Sequence, residues 1–266
     1  MHQVSRAFGR KYDELRTIKI SYNVFGYAPG SVLFELGNTK ILCSVSMVSG
    51  VPPFLKGTKT GWLTAEYAML PTSGHTRLSR EGTQLKRNDR AIEISRLIGR
   101  ALRSAVNLSL LNERTILVDC DVLQADGSTR TASITGAYIA LKMAMNYWIE
   151  SGQLVNSILT DAVSAVSVGF INGQALLDLD FEEDSMIDSD YNFVLTQSDS
   201  IIEIQGTAEK NALTWQDFEK IKDLAITGNK KLFASIDESF KTMHSKKNIK
   251  PELPLFSLKN RLANAV

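Results

Sequence analysis

Apolar and polar positions alternate over 17–24 and again over 31–36, so both stretches predict strands. Gly37-Asn38-Thr39 is turn chemistry, and KILCSVSMV follows it, which makes 31–48 a hairpin. A loop rich in Pro, Gly and Lys over 49–60 leads into a short strand, GWLTAEYAMLP at 61–71, closed by Pro71. The segment 72–89 is polar and rich in Ser, Thr, Gly, Lys and Arg and predicts a mobile loop. The period then changes. Ile94, Leu97, Ile98, Ala101, Leu102 and Ala105 fall at helical spacing and predict a helix over 90–111, with Asp89 as its cap. Residues 115–123 predict a central strand. A second helix runs from Arg130 to about 150 and stops at Ser151-Gly152. Asn172-Gly173 joins 162–170 to 174–181 in another hairpin, 191–196 and 201–205 form a third, and a last helix spans 215–241. Hairpins alternating with long helices predict an α+β fold, with helices packed on mixed β-sheets. One domain over 1–241 and a basic C-terminal tail over 242–266 is the organisation expected.

A chain of 266 residues with 44% hydrophobic and 22% charged positions has the makeup of an ordinary globular protein. A net charge of +1 excludes a general electrostatic attraction to nucleic acid, so basic chemistry must come from local clusters. Cys43 and Cys120 both lie in apolar strand-like runs and read as buried, reduced thiols. The opening MHQVSRAFGRKYDELR has no apolar core after its basic residues, so no secretory signal is expected. No apolar run is long enough to span a bilayer. No membrane partner is therefore expected, and the cytoplasm is the expected location.

Three clusters carry the chemistry. In TILVDCDVLQADGSTRTASITGA (115–137) a buried strand, a tight turn and a helix follow one another. The turn gathers Ser128, Thr129 and Arg130 with the unpaired N–H groups of a helix start, which suits a phosphate or carboxylate. A simple hydroxyl cap explains the turn equally well, except that it leaves Arg130 without a purpose. A basic run includes Arg77, Arg80, Arg87, Arg90, Arg96, Arg100 and Arg103. The last three fit a solvated helix face, while the loop arginines suit a phosphate backbone. Arg90 opens a helix, where a cation gains nothing from the dipole, so an anion is expected nearby. The acidic stretch from Asp178 to Asp190 reads by itself as an exposed turn, yet crowded carboxylates also suit magnesium or a general acid. There is no G-x-x-x-x-G-K-[ST], zinc pattern or G-x-S-x-G.

Six segments, GRKYDELR (9–16), GSVLFELGNTKILCSV (30–45), FLKGTKTGWLTAEYAMLP (54–71), RAIEISRLIGRALR (90–103), DCDVLQADGSTRTASITGA (119–137) and IIEIQGTAE (201–209), closely resemble the ribonuclease PH family over roughly 6–240. The resemblance implies the ribonuclease PH fold, related to the second domain of ribosomal protein S5, and a homohexamer built as a trimer of dimers. It implies a phosphorolytic 3′→5′ exoribonuclease over 1–241 that trims precursor tRNA and other RNA 3′ ends, with inorganic phosphate as co-substrate and reversible chemistry. It places phosphate on Arg90, Ser128, Thr129 and Arg130, with Arg90, Arg130, Asp184 and Asp190 catalytic. Mg2+ falls to Asp184 and Asp190, and RNA to Arg77, Arg80 and Arg87.

Some positions depart from the family pattern. Ser128 and Asn88-Asp89 stand where glycines are usual, and Thr72 stands where an arginine is common. The rival expectations are a non-catalytic ring subunit that binds RNA, and a catalytic subunit that needs a different partner in its ring.

Overall fold

The computed structural model describes residue 6, residues 9–80 and residues 88–247. One parallel strand pair organises the first half. Strands β1 (Ile18–Tyr22), β2 (Gly30–Leu36), β3 (Thr39–Ser49), β4 (Trp62–Met69) and β5 (Arg114–Gln124) form a sheet in the order β1-β2-β3-β5-β4. Every pairing is antiparallel except β4 with β5. A parallel pair cannot be closed by a tight turn and needs a crossover. Helix α1 (Asp89–Arg103) provides it and packs on β4.

The second sheet is antiparallel throughout, with β6 (Val163–Ile171), β7 (Gln174–Leu177), β8 (Ser189–Thr196) and β9 (Ile201–Ala208) in the order β7-β6-β8-β9. Asn172 and Gly173 turn the β6–β7 hairpin with φ of 50° and 81°, the left-handed pair that a two-residue turn demands. Helix α2 (Thr129–Glu150) lies between the two sheets and packs on β2, β3 and β6. Every residue from 131 to 141 is buried. Helix α4 (Trp215–Lys247) covers the opposite face of β6: Ser164 Oγ donates to Asn229 of α4, while Ser167 Oγ meets Ser128 beside α2. One hydrophobic core runs through both sheets.

Five sequence expectations need correction. Helix α1 ends at Arg103 instead of 111. Val106 leaves it to bridge Leu159, Leu108–Leu111 is a 3-10 turn, and Asn112 and Glu113 take positive φ to enter β5. The α1 cap is Asn88, whose Oδ1 accepts from Arg90 N–H, and Asp89 is the first helical residue. Strand β7 stops at Leu177 because Asp178 adopts a φ of 56°. The acidic stretch read as an exposed turn contains helix α3 (Phe181–Met186), started by a capping box between Asp180 and Glu183. The last helix also runs past 241 to Lys247.

The approach of α2 to the first sheet depends on glycine. A Cβ on Gly30 would fall 2.1 Å from Ala140 O and 2.6 Å from Ala144 N, both backbone atoms of α2. A Cβ on Gly26 would meet nothing within 4 Å. Gly30→Ala should therefore cost about 1–3 kcal/mol or more by overpacking. Gly26→Ala should stay within about 0.5 kcal/mol of wild type. Urea midpoints check the pair, and equal stability of the two variants would contradict the packing described.

Candidate active site

The start of α2 follows from two left-handed residues in succession, Gly127 (φ 73°) and Ser128 (φ 56°). Only glycine fits at 127, since a Cβ there would lie 2.3 Å from Leu179 O. The helix then opens with Thr129 and Arg130. Thr129 Oγ1 accepts the hydroxyl proton of Tyr67, 3.1 Å away on β4. Tyr67 is buried, and burial pushes its phenol above the ordinary value, so it stays protonated as a donor.

Arg130 Nη1 donates to Gln205 Oε1 on β9 at 3.0 Å and meets Glu93 Oε1 on α1 at 3.5 Å. The Glu93 contact ties the start of α2 to the first turns of α1, where Arg90 sits exposed. The Arg90 guanidinium forms no ion pair among the described residues. Asp184 on α3 and Asp190 on β8 complete the group. Burial, reinforced by Asp190, raises the Asp184 carboxyl above its ordinary value, while Arg90 and Arg130 pull it down. Burial also raises Asp190, with Arg130 opposing and Glu209 adding to the rise. Two guanidinium groups and the carboxyls of Asp184, an exposed residue, and Asp190, a part-buried one, thus act on one another across the ends of α1, α2, α3 and β8.

This donor set fits magnesium. The ion needs only one or two protein carboxylates and completes its shell with water and substrate oxygens. Two carboxyls already crowded by a third, Glu209, are relieved by a divalent cation. Among the described residues no three His, Cys, Asp or Glu side chains are grouped as a metal cage.

Other expected residues lie elsewhere. The Ser128 hydroxyl faces inward and is spent on Ser167 Oγ (2.7 Å), Leu179 O (3.0 Å) and Asp178 Oδ1 (3.2 Å). Only its backbone is left for an anion. Arg77 and Arg80 are exposed after β4, in a segment whose His75 ring packs on Phe181 of α3 with centroids 4.5 Å apart. Arg87 lies outside the described residues. Arg96 is exposed, as the solvated-face reading requires. Arg100 forks onto Glu203, with its closer bond at 2.7 Å. Arg103 departs from that reading: it donates to Leu63 O at 2.9 Å and lies over the Trp62 ring. The two cysteines are free, buried and face each other across β3 and β5. No helix among the described residues is long and apolar enough to cross a membrane. Sequence reasoning missed Tyr67, Glu93, Gln205 and Glu209. Gln205 and Glu209 lie in the motif IIEIQGTAE, but nothing in its pattern marks a side chain aimed at the start of another helix.

Domain 1 of the 3′ exoribonuclease family matches residues 14–145, and domain 2 of the same family matches residues 161–228. The chain belongs to the RNase PH family of 3′ exoribonucleases. Solved structures with the same fold include Rrp46 of rice (Oryza sativa), at 18% identity and a TM-score of 0.71, covering 88% of this chain and 99% of that one. An archaeal exosome core is similar at 26% identity and TM-score 0.71, covering 88% and 91%. The Archaeoglobus fulgidus exosome with RNA bound to its active site is similar at 26% and 0.71, covering 87% and 92%. The two family domains share the single core around α2, so in this RNase PH family member they are two halves of one packed unit.

The raised carboxyls give a stability signature. A carboxyl whose folded pKa lies above its unfolded value contributes stability at low pH that is lost as pH rises through the folded value. Asp190→Asn should therefore be more stable than wild type near neutral pH in metal-free buffer. That advantage should shrink as pH falls through the folded value toward the ordinary carboxylate range. Urea midpoints across this range check it; an advantage that grows toward acid would contradict the electrostatics described.

Proposed function

We propose that this protein is a phosphorolytic 3′→5′ exoribonuclease that trims extra nucleotides from precursor tRNA and other RNA 3′ ends. The observation that carries the reading is the grouping of Arg90 and Arg130, at two helix starts, opposite Asp184 and Asp190. Inorganic phosphate is a hydrated dianion that must approach a negatively charged ester. Arg90 and Arg130 neutralise and orient it, with the Thr129 hydroxyl and the first N–H groups of α2 as fixed donors. Tyr67, by donating to Thr129 Oγ1, leaves the Thr129 proton free for the anion. A phosphate oxygen attacks the terminal phosphorus, the bond to the 3′ oxygen breaks, that oxygen takes a proton, and a nucleoside diphosphate leaves. The positions of Asp184 and Asp190 suit the leaving-oxygen side, and a carboxyl raised above its ordinary value carries a proton nearer to neutrality. Asp184 and Asp190 would hold magnesium, which would supply positive charge on the leaving-oxygen side. Ser128 contributes only backbone. The reaction runs in both directions, so the same site adds nucleotides from diphosphates. Arg77, Arg80 and Arg87 grip the RNA backbone, and the subunits assemble as a homohexameric ring. The likeness to exosome subunits supports RNA binding and a ring.

Arg130→Ala should lower phosphorolysis by about 100- to 1000-fold. Its thermal stability should stay close to wild type, because the side chain is part-exposed. Normal turnover in a folded Arg130→Ala protein would contradict the phosphate assignment. A second comparison tests the RNA grip. Arg77→Ala combined with Arg80→Ala should weaken binding of tRNA more than of a short single strand. Equal loss for both would show that these arginines do not contact the body of tRNA.

A further inference from the structure

The segment 6–16 carries three arginines whose guanidinium groups all turn inward. Arg6 forks onto Glu183, with Nε–Oε1 at 2.7 Å and Nη2–Oε2 at 2.9 Å, and also donates to Leu177 O at 2.8 Å. Arg10 donates to Asp178 O at 2.9 Å and to Glu183 Oε2 at 3.0 Å. Arg16 grips both carboxylate oxygens of Asp178, at 2.6 and 3.0 Å, and its backbone N–H adds a third bond at 2.8 Å. Asp178 is 1% exposed. Burial alone would raise its carboxyl, but Arg16 overrides that and holds it below the ordinary value.

The two acceptors sit where position matters. Glu183 closes the capping box of α3: its Oε2 accepts from Asp180 N–H at 3.1 Å, and Asp180 Oδ1 accepts from Glu183 N–H at 2.9 Å. The next residue is Asp184. Asp178 Oδ1 accepts the Ser128 hydroxyl at 3.2 Å, and the next residues there are Thr129 and Arg130. A six-residue helix has no stability of its own, so α3 lies where its contacts hold it. Buried ion pairs are also a poor source of net stability, since apolar replacements often do as well. What a rigid arginine fork supplies is geometry.

We propose that Arg6, Arg10 and Arg16 are positioning residues that set the separation between the anion-holding turn at Ser128–Arg130 and the acid Asp184 on α3. The inference rests on the function proposed above.

Two variants and two readouts test it. Arg6→Lys keeps the charge and loses the fork. Its kcat should fall about tenfold to a hundredfold, the order that sub-ångström to ångström misplacement costs, with KM for phosphate unchanged. Its α3 amides should exchange hydrogen faster, with β6 unaffected. The double variant Arg6→Met with Glu183→Gln removes the fork and its charge while the Gln side chain keeps an acceptor for the capping box, so it should fold and still lose the same kcat. It carries the test if Arg6→Lys does not fold. A stable double variant with full kcat, or α3 protection unchanged in both variants, would overturn the proposal. Should wild type release no diphosphate, the functional reading fails by itself, and hydrogen exchange alone decides whether the arginines hold α3.

Discussion

Helix α2 is buried on every side over 131–141 and is stable only where two surfaces cover it together. The first sheet supplies one surface and β6 the other. Ser133 Oγ donates to Thr129 O, and Thr135 Oγ1 accepts from Ala165 N–H. Glycine at 30 lets the helix backbone press directly on the sheet, and Gly136 does the same against Phe34 and Cys43. With its body fixed on both sides, its first turn cannot move independently of either sheet.

That first turn is where the chemistry gathers. Gly127 and Ser128 bring the chain in left-handed, Leu179 and Asp180 close over Gly127, and Tyr67 reaches Thr129 from β4. The second sheet contributes Asp190 and Gln205 from neighbouring strands. No single element supplies both the cations and the acids, so the group exists only when both sheets are packed on α2. Both carboxyls are raised above their ordinary value, a shift that the guanidinium groups only partly oppose.

Much of this was legible in the sequence because it was local. The hairpins announced themselves through Gly37-Asn38 and Asn172-Gly173, and α2 through its turn and its stop at Gly152. The turn at 127–130 stood out because a simple hydroxyl cap left Arg130 unexplained, and the structure ties that side chain to Gln205 and Glu93. What was hidden depended on distant partners. Asp178 and Glu183 looked like members of a solvated acidic turn, yet each is buried against an arginine from the start of the chain. Ser128 looked like a phosphate ligand because it stands in the turn beside Thr129 and Arg130. Its hydroxyl is drawn instead to Ser167 and Asp178, which only the tertiary fold brings near. The end of α1 was missed because Val106 serves a bridge to Leu159 rather than the helical stripe.

The most direct test of the account is incubation of the purified protein with a tRNA bearing extra 3′ nucleotides, in magnesium, with and without inorganic phosphate. Nucleoside diphosphates released only in the presence of phosphate are the predicted result. Monophosphates released without phosphate, or RNA bound with no product in either case, would contradict it.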